Sequence, residues 1–208
     1  MRYLLFLILL SSFLLSGCAG SLLPEPKPAP QQWLLKRLPS PPTVLTTQQP
    51  KQPTVFLAIE RPTAPTPLRG REIWYRSQHQ LSPFGEQVWA ESLDQQIQQR
   101  ISDYFGQQSW LATSLPDQPG YRANYRLRIT LQEWYLDTDK QQLDIAVQIN
   151  LLDANGRSLL QQQWIAQPKV NALTPAAMLD ASQQWLEEWA AEMAFLLQQR
   201  LIILNTTP

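Results

Sequence analysis

The sequence is poor in the residues from which most catalytic and metal sites are built. Its 208 residues include one cysteine, Cys18, and one histidine, His79. Catalytic Cys–His pairs and zinc sites with several such ligands are therefore disfavoured. The sequence also has no Gly-x-Ser-x-Gly, His-Glu-x-x-His or glycine-rich phosphate-binding motif. We expect a protein that is not an enzyme, with no catalytic residue, metal site or cofactor, and with His79 in a surface loop.

Excess charge and long apolar runs are also scarce. The chain has 17 basic and 17 acidic side chains, so its formal net charge is zero. Without a basic excess, no electrostatic attraction to nucleic acid or anionic lipid is expected. After residue 15, no apolar run approaches the roughly 20 residues that cross a bilayer as a helix. We therefore expect no nucleic-acid partner and no membrane-spanning segment in the folded part.

The one long apolar run lies at the start of the chain. It extends from Tyr3 to Leu15 and follows the basic residue Arg2. At about 13 residues it is too short to span a bilayer, but it is typical of a secretion signal. The next residues, Leu-Ser-Gly-Cys at positions 15–18, resemble the lipobox of bacterial lipoproteins. We expect residues 1–17 to be a signal peptide that is removed before Cys18.

The resemblance to a lipobox implies a lipid anchor. In such proteins the cysteine sulfur carries a diacylglycerol, and the new amino terminus is acylated. Two or more acyl chains hold a protein stably at a membrane, because each buried methylene contributes about 0.8 kcal/mol. An aspartate after the cysteine would favour retention at the inner membrane, and Ala19 stands there instead. The expected location is the periplasmic side of the outer membrane.

Residues 18–32 are predicted to form a tether. Prolines at positions 24, 26, 28 and 30 favour an extended chain and disfavour helix and sheet. At about 3.1 Å per residue, this tether could hold a domain on the order of 40 Å from the lipid. The folded domain is expected to cover residues 33–203.

Hydrophobic periodicity predicts one mixed α+β (α/β) domain, in which two long amphipathic helices pack on an antiparallel-rich sheet. Short strands are expected at 33–38, 54–59, 72–76 and 109–114. Alternating apolar residues over 125–166, with a bulge after Leu131 and an Asn-Gly turn, predict a three-stranded meander. Ser-Pro at 82–83 and Thr-Pro at 174–175 resemble helix starts. The first helix is expected to end near Gly106, and the second near Leu201.

Two groups of side chains, three aspartates and the tryptophans, are candidates for a metal site and a binding surface. Asp137, Asp139 and Asp144 lack the spacing of an EF-hand calcium loop, and we interpret them as turn aspartates. Eight tryptophans are many for a chain of this size. Those on strands can face outward, and aromatic residues are enriched where proteins bind partners or apolar ligands. The candidate contacts with a partner or lipid are Trp74, Tyr75 and Trp134.

The stretch Val88 to Gln96, with the sequence VWAESLDQQ, resembles the Trp-Ala-x-x-Leu-Asp-Gln-Gln helix start of the ABC-type transport auxiliary lipoproteins. The strand 72–76, the meander and the last helix are similar to those of this family, particularly its intermembrane transport lipoproteins. The resemblance implies a non-catalytic component of a lipid transport system. Its partners would be an MCE-domain protein that bridges the periplasm and the inner-membrane transporter components. Self-association into a homo-oligomer is also possible by analogy.

Two other functions remain open from the sequence. The chain could be a lipoprotein that activates or assembles another envelope complex, since such a protein also needs a tethered domain. It could also be a lipid-binding carrier, which would need an apolar cavity of its own.

The lipobox generates the first testable prediction. The purified mature protein should begin at Cys18 and carry a diacylglycerol and an N-acyl chain, which intact-mass spectrometry detects. In Cys18→Ala the thioether cannot form, so both the lipid mass and stable membrane attachment should be lost. An unmodified amino terminus in the wild-type protein, or cleavage at another residue, would contradict the prediction.

Overall fold

A computed structural model describes residues 28–40 and 55–206. The signal peptide, Cys18 and most of the tether lie outside the described residues. The strands and helices, in chain order, are β1 (Gln31–Trp33), β2 (Phe56–Ile59), α1 (Thr66–Arg69), β3 (Glu72–Ser77), β4 (Gln80–Trp89), α2 (Leu93–Phe105), β5 (Thr113–Pro116), β6 (Tyr125–Asp137), β7 (Gln142–Asp153), β8 (Ser158–Ala166) and α3 (Pro175–Thr206).

The long strand β6 organises an eight-stranded mixed sheet. On one edge, β6 pairs with β7 in antiparallel fashion along its length, and β8 lies beyond β7. On its other edge, β6 pairs in parallel with two different strands: β2 lies beside its start and β3 beside its end. Strand β5 extends the sheet beyond β2, whereas β4 and then β1 extend it beyond β3. The predicted mixed α+β fold is confirmed.

The alternation of β7 shows which face of the sheet is the core. Five apolar residues at every second position, all 0% exposed, face the two long helices: Leu143, Ile145, Val147, Ile149 and Leu151. On β6 the buried set changes parity between Leu131 and Trp134, because a bulge shifts the register there. The predicted bulge and meander are both confirmed.

The helix expected from residue 82 begins later. Ser82 and Pro83 lie in β4, opposite Tyr75 and Trp74 of β3. The Arg76 carbonyl accepts the Thr138 N–H, so alternate residues of β3 turn their backbone groups toward β6 and not toward β4. Pro83 therefore occupies a position where no N–H is needed, and a strand tolerates it. The helix start predicted at 82–83 is wrong.

Helix α2 begins instead at Leu93, after the N-cap residue Ser92. Its buried residues include an apolar stripe at a spacing of four: Leu93, Ile97, Ile101 and Phe105. The helix ends at Gly106, as expected. Trp89, which lies within the helix expected from residue 82, is buried as the last residue of β4.

The other boundaries shift by a few residues. Strand β1 takes in Gln31 and Gln32, which the sequence placed in the tether. Strand β5 lies at Thr113–Pro116, later than the expected segment 109–114. Helix α3 starts where predicted, since the Thr174 hydroxyl accepts the N–H of Ala177 at 3.3 Å. It continues to Thr206, past the predicted end.

Trp134 belongs to the core, so its assignment as a surface contact is corrected. Its side chain is 1% exposed, and its indole N–H donates to the Ser182 hydroxyl at 3.0 Å. Its ring meets Trp185 edge to face at 5.4 Å, and Trp185 stacks on Trp189 at 5.3 Å. The bulge in β6 causes this, because it turns residue 134 toward the helices.

The buried bond between Trp134 and Ser182 gives a stability prediction. Ser182→Ala leaves the indole N–H without an acceptor in a dry core, and the free energy of unfolding should fall by about 1–3 kcal/mol. Urea denaturation followed by circular dichroism measures the change. Ser102→Ala is the matched control, since its hydroxyl is equally buried and has no partner among the described residues. Equal losses in the two variants would contradict the role of this hydrogen bond.

Candidate functional site

Strands β2 and β3 pair with opposite ends of the same edge of β6, and a pocket lies between them. Its volume is about 230 Å³, and we name it the Trp74 pocket. Residues from α1, the β3–β4 hairpin and the bulged part of β6 line it: Pro65, Pro67, Leu68, Trp74, Leu81, Gln132, Glu133 and Tyr135. Because Trp134 faces the helices, its neighbours Glu133 and Tyr135 face the opposite side of the sheet. The pocket therefore lies on the face that α2 and α3 leave uncovered.

Most of the lining is apolar, but a few polar groups have fixed positions. The Tyr135 hydroxyl accepts a hydrogen bond from Arg76 at 3.0 Å, and the guanidinium carbon lies 4.9 Å from the ring centre. Burial, followed by the nearby Glu133 carboxylate, raises the pKa of Tyr135 to about 12, so the phenol is protonated at neutral pH. Leu81 is 41% exposed and provides an apolar edge to the pocket.

A buried ion cluster holds Arg76 behind this pocket. Its guanidinium bonds both Asp137 (2.6 Å) and Asp144, whose side chains are 4% and 2% exposed. The amide groups of Gln142 and Gln167 donate to the other Asp144 oxygen at 2.7 and 3.2 Å. The interpretation of Asp137 and Asp144 as turn aspartates is therefore incomplete, because both bind Arg76 and so join β3 to β6 and β7.

The third aspartate of that group has a different partner. Asp139 accepts the backbone N–H of Gln78 at 2.5 Å. Gln78 has φ = 53° and lies at the tip of the β3–β4 hairpin, beside the exposed His79. In the part of the chain that the structure describes, no three His, Cys, Asp or Glu side chains converge closely enough to hold a metal ion.

Trp74 and Tyr75 lie on opposite faces of β3, so the structure does not bring the two candidate contacts together. Tyr75 packs against Phe84 with 4.8 Å between ring centres. This pair lines a second, open pocket of about 390 Å³ with Pro83, Thr138 and Leu173. The two aromatic residues thus belong to separate surfaces of one hairpin.

Sequence reasoning missed a third pocket, which we name the arginine pocket. It has a volume of about 370 Å³ and is lined by Arg61, Pro62, Thr63, Ala64, Arg69 and Asp94. Asp94, near the start of α2, is 5% exposed and bonds Arg61 at 2.5 Å. No sequence signal connects these two residues, because 33 positions separate them.

Comparisons with known proteins agree with this fold. A family model described as "ABC-type transport auxiliary lipoprotein component" matches residues 37–194. A crystal structure of a DUF330 protein from Xanthomonas campestris has a TM-score of 0.69 at 17% identity, with 86% of this chain and 98% of that chain covered. A second crystal structure, of an uncharacterized protein, has a TM-score of 0.65 at 16% identity and covers 82% of this chain and 99% of the other.

One curated relative matches over part of its length. It is an uncharacterized protein from Bradyrhizobium diazoefficiens, 25% identical over 126 residues. The alignment covers 60% of this chain and only 34% of the relative.

Among the described residues of this chain, none of the helices combines the length and the apolar character that a membrane crossing requires.

The ion cluster generates a prediction about stability. Arg76→Met leaves two buried carboxylates without their counterion, and the free energy of unfolding at pH 7 should fall by about 3 kcal/mol. Arg157→Met is the control, since that residue is 78% exposed and its pair with Asp153 should contribute little to stability. Urea denaturation of both variants tests this, and similar losses would contradict it.

The same cluster predicts a pH dependence. Burial alone would raise the pKa of Asp137, but the bonds from Arg76 and from the N–H groups of Lys140 and Asp139 outweigh it, so the pKa lies below its ordinary value of 3.8. A carboxyl group whose pKa is lower in the folded state stabilises the fold at pH values above its unfolded-state pKa. This stability is lost as the pH falls through the folded-state pKa. The stability gap between wild type and Arg76→Met should therefore shrink below about pH 4. A gap that stays constant down to pH 3 would refute the assignment.

Proposed function

Because the chain belongs to the family of ABC-type transport auxiliary lipoprotein components, we propose that it is a non-catalytic docking subunit of an intermembrane lipid transport system. In this proposal, acylated Cys18 anchors the domain at the periplasmic side of the outer membrane. The partner is an MCE-domain protein that bridges the periplasm from the inner-membrane transporter components. The family match is the observation on which the proposal rests.

The Trp74 pocket supports a docking role. Interface hot spots are commonly aromatic side chains that fill well-packed pockets from which water is excluded. The pocket offers a mostly apolar lining, and Arg76 holds Tyr135 in place behind it. We propose that the MCE-domain protein inserts an apolar side chain here, between Trp74 and Leu81.

The volume of this pocket favours docking over carriage of a whole lipid. At about 230 Å³ it is smaller than the roughly 300–1,000 Å³ typical of pockets for drug-sized ligands. One aromatic or leucine side chain fits such a space, whereas a lipid with two acyl chains does not. The carrier hypothesis therefore receives less support from this site than the docking hypothesis does.

The position of β1 is compatible with a tethered domain. Strand β1 pairs with β4 through Gln31↔Gln87 and Trp33↔Trp89. The Trp33 indole also donates to the Gln87 amide at 3.0 Å. In this proposal, the carboxyl end of the tether continues into β1, the edge strand that pairs with β4. A force on the lipid anchor would be transmitted through β1 to β4, which also carries Leu81 of the Trp74 pocket.

Affinity capture from detergent-solubilised envelopes tests the proposal. Wild-type protein should recover an MCE-domain protein, identified by mass spectrometry. Trp74→Ala should recover severalfold less, because the wall of the pocket is lost. Phe195→Ala is the matched control, since this large apolar side chain is 63% exposed on α3, outside the pocket, and its loss should leave recovery unchanged. Circular dichroism confirms that each variant is folded.

Other results would point to the alternatives. Recovery of a cell-wall or export complex without any MCE-domain protein would favour an activator or assembly factor. Lipid that co-purifies stoichiometrically with the Cys18→Ala protein would favour a carrier. Equal recovery by wild type and Trp74→Ala would place the contact elsewhere on the domain.

A further inference from the structure

We propose that the arginine pocket binds a phosphodiester monoanion through Arg61 and Arg69. The pocket of about 370 Å³ is built on residues 61–69, the same segment that contributes Pro65, Pro67 and Leu68 to the Trp74 pocket. This site is separate from the proposed contact with a protein partner. Each of its two guanidinium groups is held by a hydrogen bond from Nε.

Arg61 is oriented from one side of the pocket. Its Nε bonds the Asp94 carboxylate at 2.5 Å, and one terminal nitrogen donates to the Ser92 hydroxyl at 3.1 Å. The other terminal nitrogen has no partner among the described residues, and the side chain is 58% exposed. Arg61 therefore presents a positioned, accessible donor to the pocket.

Arg69 is held in a similar way from the end of α1. Its Nε donates to the Ala64 carbonyl at 2.7 Å. Within the described ranges, neither of its terminal nitrogens has a partner, and the residue is exposed. Two guanidinium groups are thus anchored through Nε and keep terminal N–H groups available, which is the donor geometry that phosphate oxygens accept well.

The charge of the lining selects the class of anion. Two arginines and one carboxylate leave a net charge of +1 in the pocket. Asp94 is also the second residue of α2, and the first turn of a 13-residue helix adds a partial positive charge. A phosphodiester carries one negative charge and matches this balance, whereas a phosphate monoester carries up to two and is repelled more strongly by the Asp94 carboxylate.

This chemistry has two possible sources, a phospholipid headgroup and a soluble phosphodiester. The test is isothermal titration of the purified acylated protein in non-ionic detergent, with protein-free detergent as the blank. The probes are dimethyl phosphate, dihexanoyl phosphatidylglycerol and inorganic phosphate. Binding of the lipid alone assigns the site to a headgroup, and equal binding of dimethyl phosphate assigns it to the phosphodiester itself.

Substitutions then locate the site. Arg69→Gln should weaken phosphodiester binding by about tenfold, since a charge-assisted donor pair is lost. Arg157→Gln is the matched control, an exposed arginine that also pairs with a carboxylate, and it should bind like wild type. Arg61→Lys keeps the positive charge beside Asp94, so the fold is retained. The substitution removes the planar guanidinium donors of Arg61, and it should therefore also weaken binding.

Three results would overturn the proposal. They are no binding of either phosphodiester at millimolar concentration, equal effects of Arg69→Gln and Arg157→Gln, and tighter binding of inorganic phosphate than of both phosphodiesters. None of these measurements involves a protein partner. Failure here is therefore distinguishable from failure of the docking function.

Discussion

The shared edge of β6 is the constraint on which the rest of the structure depends. Because β2 and β3 both run parallel to β6 and pair with opposite ends of it, residues 60–71 must cover the interval between them. This interval contains the isolated bridge between Thr63 and Thr130 and the short helix α1. Three prolines, at positions 62, 65 and 67, keep this connection from forming a regular strand. Both the Trp74 pocket and the arginine pocket are built on this one irregular segment.

Two arginines on either side of that segment make three ion pairs with buried carboxylates. Arg61 fastens the end of β2 to α2 through a buried Asp94, and Arg76 fastens β3 to β6 and β7 through Asp137 and Asp144. In each case the carboxylate is buried while the arginine keeps partial contact with water. Such pairs contribute little net stability compared with an apolar core, but loss of one partner is costly. Their main effect is to fix the positions of the elements that line the two pockets.

The sequence predicts those features that local periodicity controls. Alternation in β7, the Asn-Gly turn and the stripe of α2 follow from patterns that only one structure satisfies. The start predicted at Ser82-Pro83 failed because a Ser-Pro pair also suits a strand position that needs no N–H, and only pairing with β3 decides between them. The burial of Asp94 could not be predicted for a similar reason, since the arginine that pairs with its carboxylate lies 33 residues away. The pockets were not predictable, because they arise where distant strands fail to pair.

The distribution of tryptophans refines the argument about surface contacts. Four of the eight form a connected group in the core beneath the long helices: Trp134, Trp164, Trp185 and Trp189. An abundance of tryptophan is therefore no evidence for a binding surface in this fold, since packing explains that group. Trp74 differs because it lies on the uncovered face, beside an exposed leucine and over an unfilled pocket. The choice of Trp74 as the docking contact thus depends on the position of this side chain relative to the sheet. The bulge in β6 that turns Trp134 toward the helices also places Glu133 and Tyr135 in the lining of the pocket.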